Sequence, residues 1–308
     1  LDRVGEMQPE DKVVLELSSF QLMSISVPSD VVIVTNITPN HLDFHKDYDE
    51  YIQSKVNSFR NQGPCGKVVL NAGCDLTYEM KDIARGTVKF FSIDKKNVLR
   101  PESPLYPVAY LEDGKLIYEA NGVKTQICDK KDIFIPGNHN VENFLAAICA
   151  TIEYVKPEDI KYVAENFKGV PHRIEFIREL DGVKYYNDSK GTNPEASIVA
   201  INSFENKRVV LIAGGRDKKT SLKDFIKAVK QKISKVILIG EATSRFKDEL
   251  SKEGYINIVN SKTLEEAIDI ASLDRPDVVL LSPACASFDM FNSYEHRGEV
   301  FKDYVLSR

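Results

Sequence analysis

Between a strand-like run, GVKYY, and an apolar helical stretch, PEASIVAI, the chain places NDSKGTN, residues 187 to 193. A tight turn into a helix needs little more than a glycine and a cap. Asn193 and Pro194 serve as cap and first helical residue, so Asp188, Lys190 and Thr192 are surplus and read as a site for a charged ligand. Lys218 follows a Gly-Gly turn in AGGRDKK, and Ser287, Phe288 and Tyr294 lie in SPACASFDMFNSYEHRG. His172 and Arg173 open PHRIEF, and arginine is the natural partner of a phosphate. Collected at one sheet edge, these groups form a polar cleft with two lysines and several hydroxyls, suited to a small dianionic ligand.

A second set lies upstream. Glu16 closes the apolar run VVLEL and precedes two serines. A buried carboxylate is costly unless paired, so Glu16 is read either as part of an N-cap device or as a ligand of magnesium, which takes hard oxygen donors. TNITPNHLDFH brings His41, Asp43 and His45 together as loop residues or as further ligands. In the helical stretch YDEYIQSKVNSF, Lys55 is a solvated charge or faces the ion. As an ammonium about 4 Å from a divalent cation it would be repelled by roughly 8 kcal/mol at an effective dielectric near 20. Lys55 therefore either points elsewhere or has been converted to an anion. In IPGNHNVENFLAAICA, Asn138 or Asn140 can cap the helix. Asn140 and Asn143 share a face, and paired amides can read an adenine edge.

The elements that must position these residues follow from pattern. VVLEL (13 to 17), VVIVTNI (31 to 37), KVVLN (67 to 71), VVLIAGG (209 to 215), KVILIG (235 to 240) and VVLLS (278 to 282) are continuous apolar runs, as suits strands buried on both faces. Helix-period segments LKDFIKAVKQKI, TSRFKDELSKEG and LEEAIDIASL separate the last three. This alternation predicts a parallel, right-handed doubly wound sheet with ligands beyond the carboxyl ends of its strands. EDGK and ANGV are hairpin turns, and VENFLAAICATIEYV and PEDIKYVAENF are helices. Gly169 and Pro171 mark a domain boundary, giving domains 1–169 and 170–308.

The chain has 308 residues, 43% apolar and 28% charged, and a formal net charge of -5 without a basic block. This composition predicts a soluble protein with small-molecule partners and argues against nucleic acid or an anionic membrane. No apolar run approaches a bilayer span and no signal-peptide order opens the chain, so the expected address is the cytoplasm. The five cysteines lack CxxC spacing and are expected to be reduced, with Cys149 and Cys285 in packing roles. No GxGxxG follows a strand, which disfavours a dinucleotide-dependent oxidoreductase.

ELSSFQL, TNITPNHLDFH, YIQSKV, GNHNVENFLAA, PHRIE, NDSKGTNPEAS, AGGRDK and SPACASFDMFNSYEHRG, in that order and over nearly the whole chain, resemble the Mur ligases of peptidoglycan synthesis. The resemblance implies an α/β chain: a partial central Mur-ligase ATPase domain followed by a doubly wound Rossmann-like carboxyl-terminal domain. It implies ATP and Mg2+ as cofactors, UDP-N-acetylmuramoyl-L-alanine and D-glutamate as substrates, amide ligation through an acyl phosphate, and a monomer. Carried over by position, Glu16, His41 and Lys55 hold magnesium, Lys55 as the carbamylated lysine of the family. Asn140 and Asn143 face adenine, Asp188 the ribose, and Arg173 with His172 the phosphates. Lys190, Thr192, Lys218, Ser287, Phe288 and Tyr294 hold D-glutamate. The family often has Leu at the position of Phe288 and Phe at that of Tyr294. The Gly-rich loop ending GKT or GKS, which cradles ATP phosphates, has no counterpart here. The chain is therefore expected to be a fragment, inactive by itself. Another Mur ligase, folylpolyglutamate synthase and a non-catalytic nucleotide-binding remnant are the competing expectations.

Overall fold

The structure, a computed structural model, describes residues 4–26, 28–38, 44–100 and 106–308. The chain divides into two compact units, one of Leu1–Gln126 with Leu145–Lys156, the other of Ile127–Phe144 with Pro157–Arg308.

The first unit is built on α1 (Ser19–Ser24), β1 (Val31–Val34), α2 (Tyr48–Val56), β2 (Lys67–Asn71), α3 (Asp75–Glu79), β3 (Thr87–Ser92), α4 (Lys95–Val98), β4 (Val108–Glu112) and β5 (Lys115–Ala120). β6 (Val123–Asp129) and α5 (Asn138–Thr151) run from one unit into the other. The sheet order is β1-β2-β3-β4-β5-β6, parallel from β1 to β4 and antiparallel between β4 and β5. Asp113-Gly114 and Asn121-Gly122 take positive φ in the two hairpin turns, as EDGK and ANGV require. β2 and β3 are buried almost throughout, so the one lysine in β3 must be paired. Lys89 donates to the Cys149 carbonyl at 2.9 Å and to Glu153 at 2.5 Å.

The predicted strand at 13–17 does not form. Residues 11–18 have no regular structure, and Val14 is 94% exposed. A strand is stabilised by a ladder partner and by packing of its side chains, and β1, the sheet's edge, pairs only with β2 among the described strands. Nor does Glu16 cap the next helix. Ser18 does so, in a reciprocal capping box with Gln21. The helix predicted through Val155 ends at Thr151, where the last turn tightens: the Thr151 carbonyl accepts from the Tyr154 amide at 2.7 Å as well as from that of Val155 at 3.2 Å.

The second unit continues with α6 (Pro157–Asn166), β7 (Glu175–Leu180), β8 (Val183–Asn187), α7 (Pro194–Asn202), β9 (Val209–Gly214), α8 (Lys223–Lys232), β10 (Ile233–Ile239), α9 (Thr243–Lys252), β11 (Ile258–Asn260), α10 (Leu264–Leu273), β12 (Val278–Leu281) and α11 (Tyr294–Ser307). Its sheet, β11-β10-β9-β12-β8-β7, is parallel except for β7. Side chains of β9 alternate between two cores. Val209, Leu211 and Ala213 pack with Phe225 of α8 and Phe246 of α9, whereas Val210 and Ile212 pack with Ile268 of α10 and Phe301 of α11. Helices therefore cover both faces, as the apolar runs predicted. β12 is inserted between β8 and β9, so the loops after β8, β12 and β9, namely NDSKGTN, SPACAS and AGGRDK, lie side by side at the carboxyl edge.

Candidate functional site

In the first unit, α2 is capped by Asp47, whose carboxylate accepts from the Glu50 amide at 2.8 Å, and carries Lys55 in its last turn. Lys55 is half-buried, with Nζ 6.0 Å from the centroid of Tyr51. Burial pulls its ammonium below the ordinary lysine range, against the opposing charge of Glu16. Glu16 is exposed, and among the described residues no hydrogen bond or ion pair joins it to Lys55, although its charge reaches that ammonium. His41 and Asp43 lie outside the described residues. His45 is buried under Phe20, with its Nε2 hydrogen-bonded to Ser19 Oγ at 2.9 Å. Among the described residues, no three His, Cys, Asp or Glu side chains cluster as a metal site. The donor set of Glu16 and Lys55 fits magnesium only if Lys55 carries a carboxylate-like group.

In the second unit, Gly137 precedes α5 with φ of 102°, and its carbonyl accepts from the Asn140 and Val141 amides. Neither asparagine caps the helix as predicted. Asn138 lies inside it and accepts from Lys130 at 2.8 Å, while Asn140 donates back to the Pro136 carbonyl at 2.7 Å. Asn143 donates to Asn140 Oδ1 at 3.3 Å, so the two amides share a face and orient one another. Burial, and then the charge of Arg173, hold His139 below the usual histidine range. The charge of Arg173 thus reaches His139, which the linear sequence did not reveal.

Arg173 is exposed because the backbone on either side of it is bent. His172 and Ile174 have φ of 63° and 46°, and a β-branched residue in that region costs about 1–3 kcal/mol. Three hydrogen bonds hold the bend. The His172 amide donates to Glu175 at 3.0 Å, the Ile174 amide to Asp188 Oδ1 at 3.2 Å, and the Lys190 amide to the His172 carbonyl at 3.0 Å. Asp188 is only 4% exposed, and its Oδ2 accepts from Ser282 Oγ at 2.7 Å. Burial pushes its carboxyl up to about 7, against those two hydrogen bonds and the charges of Arg173 and Arg297.

Lys190 is exposed, with Nζ 6.0 Å from the centroid of Tyr294. Lys218 is also exposed and donates to the Thr192 carbonyl at 3.3 Å. Ser287 is buried, and its carbonyl turns the chain by accepting from Met290 and Phe291. Phe288 then projects into solvent, 70% exposed. The edge therefore presents two ammonium groups, a guanidinium, a phenol and an apolar ring, an arrangement for an anionic ligand with a short carbon skeleton. Cys285 is buried behind it, and desolvation pushes the thiol up to about 12, so it packs and does not react.

Residues that the sequence did not disclose support this edge. Gly298 of α11 lies against His172, where an added Cβ would overlap Nδ1 and stand 3.0 Å from Asn187 Nδ2. Gly298→Ala is expected to destabilise the fold by roughly 1–3 kcal/mol in urea unfolding and to shift the ring signals of His172 in NMR spectra. A variant as stable as the parent would show that the helix yields at no cost. Arg297 and Ser189, both buried, join α11 to the NDSKGTN turn. Only proximity in the fold identifies them.

Among the described residues no helix is long and apolar enough to cross a membrane. Residues 3–151 match the Mur ligase middle domain, and residues 172–285 match the Mur ligase, glutamate ligase domain. Over 99% of its length the chain is 43% identical to UDP-N-acetylmuramoylalanine--D-glutamate ligase of Clostridium botulinum strain 657, and over 98% it is 44% identical to that of strain Langeland. It spans 65% of the length of each of these curated relatives. Among solved structures, MurF from Acinetobacter baumannii superposes with a TM-score of 0.65 at 16% identity, over 91% of this chain and 61% of that one. That likeness concerns the fold alone. With both domain models matched in order and this identity over almost every residue, the chain belongs to the Mur ligase family.

Proposed function

We propose that the protein is a ligase that joins D-glutamate to UDP-N-acetylmuramoyl-L-alanine at the expense of ATP. The observation that carries this reading is the cluster of Lys190, Thr192, Lys218 and Tyr294 at the carboxyl edge, within a chain 43% identical to enzymes of that name. Two ammonium groups match the two carboxylates of the amino acid, each contact being worth up to about 4 kcal/mol at 4 Å and an effective dielectric near 20. Ser287 and Phe288 complete that wall. Arg173, with His172 beside it, meets the phosphates of ATP, Asn140 and Asn143 the adenine, and the second lone pairs of the Asp188 oxygens the ribose.

In the reaction, an oxygen of the L-alanyl carboxylate attacks the γ-phosphorus of ATP and ADP leaves. The amine of D-glutamate then adds to the acyl carbon, phosphate departs, and an amide remains. Negative charge grows on the transferring phosphoryl group and on the tetrahedral intermediate, and Arg173 and Lys190 supply fixed cations for it. Glu16, His41 and carbamylated Lys55 would hold Mg2+, which supplies Lewis-acid stabilisation of phosphoryl charge. The depressed ammonium of Lys55 supports that assignment, since only a neutral amine adds to carbon dioxide. We further place the domain boundary at 169/170, next to Gly169 with its φ of 90°, and the enzyme in the cytoplasm as a monomer without nucleic-acid partners.

The test is phosphate release by the enzyme encoded by the full reading frame. Release that requires both UDP-N-acetylmuramoyl-L-alanine and D-glutamate, with L-glutamate and diamino acids rejected, is expected. Use of a diamino acid or of a folate with L-glutamate would transfer the protein to another ligase of this fold. Nucleotide binding without turnover would make it a remnant.

A further inference from the structure

Arg297 occupies the first turns of α11 and is 0% exposed. Among the described residues no carboxylate lies within ion-pair distance of it, although the charges of Asp289 and Asp188 reach it. Its Nε donates to Ser189 Oγ at 2.9 Å, Nη2 to the carbonyls of Ser189 at 2.8 Å and Cys285 at 3.1 Å, and Nη1 to those of Cys285 at 3.2 Å and Ala286 at 3.3 Å. A guanidinium offers its N–H donors in one rigid plane, and here they are spent on one hydroxyl and on the carbonyls of two loops. A cation near a helix amino terminus is electrostatically disfavoured, and burying it without a directly paired anion is costly, so packing alone would be better served by an apolar side chain. What an apolar side chain cannot do is hold carbonyl groups in fixed directions.

The carbonyls it holds flank the ligand edge. Ser189 precedes Lys190, and Cys285 and Ala286 precede Ser287 and Phe288. The Ala286 carbonyl also accepts from the Arg216 amide at 2.9 Å, which brings the AGGRDK loop and Lys218 into the same network. The Ala284 amide donates to the Gly191 carbonyl at 2.9 Å, and Ala284 itself has φ of 57°. Three loops that meet only in the folded chain are thus registered through one side chain.

We propose that Arg297 is a positioning residue for the amino-acid substrate, fixing the loops that carry Lys190, Lys218 and Ser287 without touching the substrate itself. This rests on the reading of that edge as the D-glutamate site. Arg297→Lys retains the charge but cannot span both loops. In this chain the variant is expected to lose about tenfold or more of the hydrogen-exchange protection at the Gly191, Arg216 and Ala284 amides, while Ile237 and Leu238 in β10 keep theirs. In the enzyme from the full reading frame, KM for D-glutamate is expected to rise by about tenfold or more, with KM for ATP changed less than about twofold. Ser189→Ala, which leaves the guanidinium in place and removes one of its acceptors together with the hydroxyl's own bond to the Tyr294 carbonyl at 2.7 Å, is expected to move both readouts the same way by a smaller amount, and loss of protection at the Arg216 and Ala284 amides in it decides the matter should Arg297→Lys fail to fold. Unchanged protection at those amides, or equal loss in β10, overturns the proposal. So does a rise in both KM values together. Selective loss of protection in a protein that does not use D-glutamate sustains the positioning role and removes the substrate assignment.

Discussion

Lys55→Ala in the enzyme from the full reading frame is expected to lower kcat by about a thousandfold or more, equivalent to roughly 4 kcal/mol of transition-state stabilisation, and acetate or formate is expected to restore part of it. The half-buried side chain makes this specific. An ammonium there would repel a divalent ion by roughly 8 kcal/mol at about 4 Å, whereas a carbamate attracts it. Carbamate formation joins the neutral amine to carbon dioxide and releases one proton, and burial raises the neutral fraction that can react. A short carboxylate diffusing into the cavity left by alanine replaces the lost oxygen ligands. A second readout is free of turnover: with isotope-labelled carbon dioxide, the parent is expected to give a carbamate carbonyl signal that the variant lacks. Undiminished activity, or no difference between the two spectra, would remove Lys55 from the ligand set.

The second large effect concerns Asp188 and pH. Its carboxyl rises from 3.8 to about 7 in the folded protein, burial being the leading cause. A raised acid binds its proton more tightly when folded, so its stabilising contribution is complete below about pH 4 and is lost as pH rises to about 7. The whole loss is about 4 kcal/mol, of which more than half falls between pH 5 and pH 8. Asp188→Asn removes the titration and preserves the geometry. Its Oδ1 can still accept from the Ile174 amide, and its Nδ2 can donate to Ser282, which in turn donates to Ser197 Oγ, 2.9 Å away. Measured by urea unfolding, the variant is expected to gain about 2–3 kcal/mol on the parent from pH 5 to pH 8. Parallel stability curves would mean that Asp188 stays ionised throughout.

Several elements were legible in the order of residues alone. The apolar runs at 67 to 71, 209 to 215, 235 to 240 and 278 to 282 became strands, and the segments between the last three became α8, α9 and α10. These readings hold because a strand covered by helices on both faces must be apolar throughout. NDSKGTN stood out as a candidate site because its charges exceed what a turn requires. VVLEL misled because apolar composition records a tendency to be buried and cannot supply the neighbouring strand that completes a ladder.

By itself the sequence determined most of the helix and strand pattern of the second unit, the turn chemistry of the first unit's two hairpins, and the polar groups from Arg173 to Tyr294 that exceed what turns and caps require. These are local properties, set by period, by propensity and by surplus polarity. Only the tertiary structure decided what holds those groups: Arg297 on the carbonyls of distant loops, Asp188 under the strained Ile174, Gly298 making room for His172, and the burial that lowers the Lys55 ammonium. Each depends on two segments far apart in the chain meeting at the carboxyl edge of a sheet or beside a half-buried helix. The desolvation that tunes Asp188 and Lys55 exists only where the folded chain excludes water.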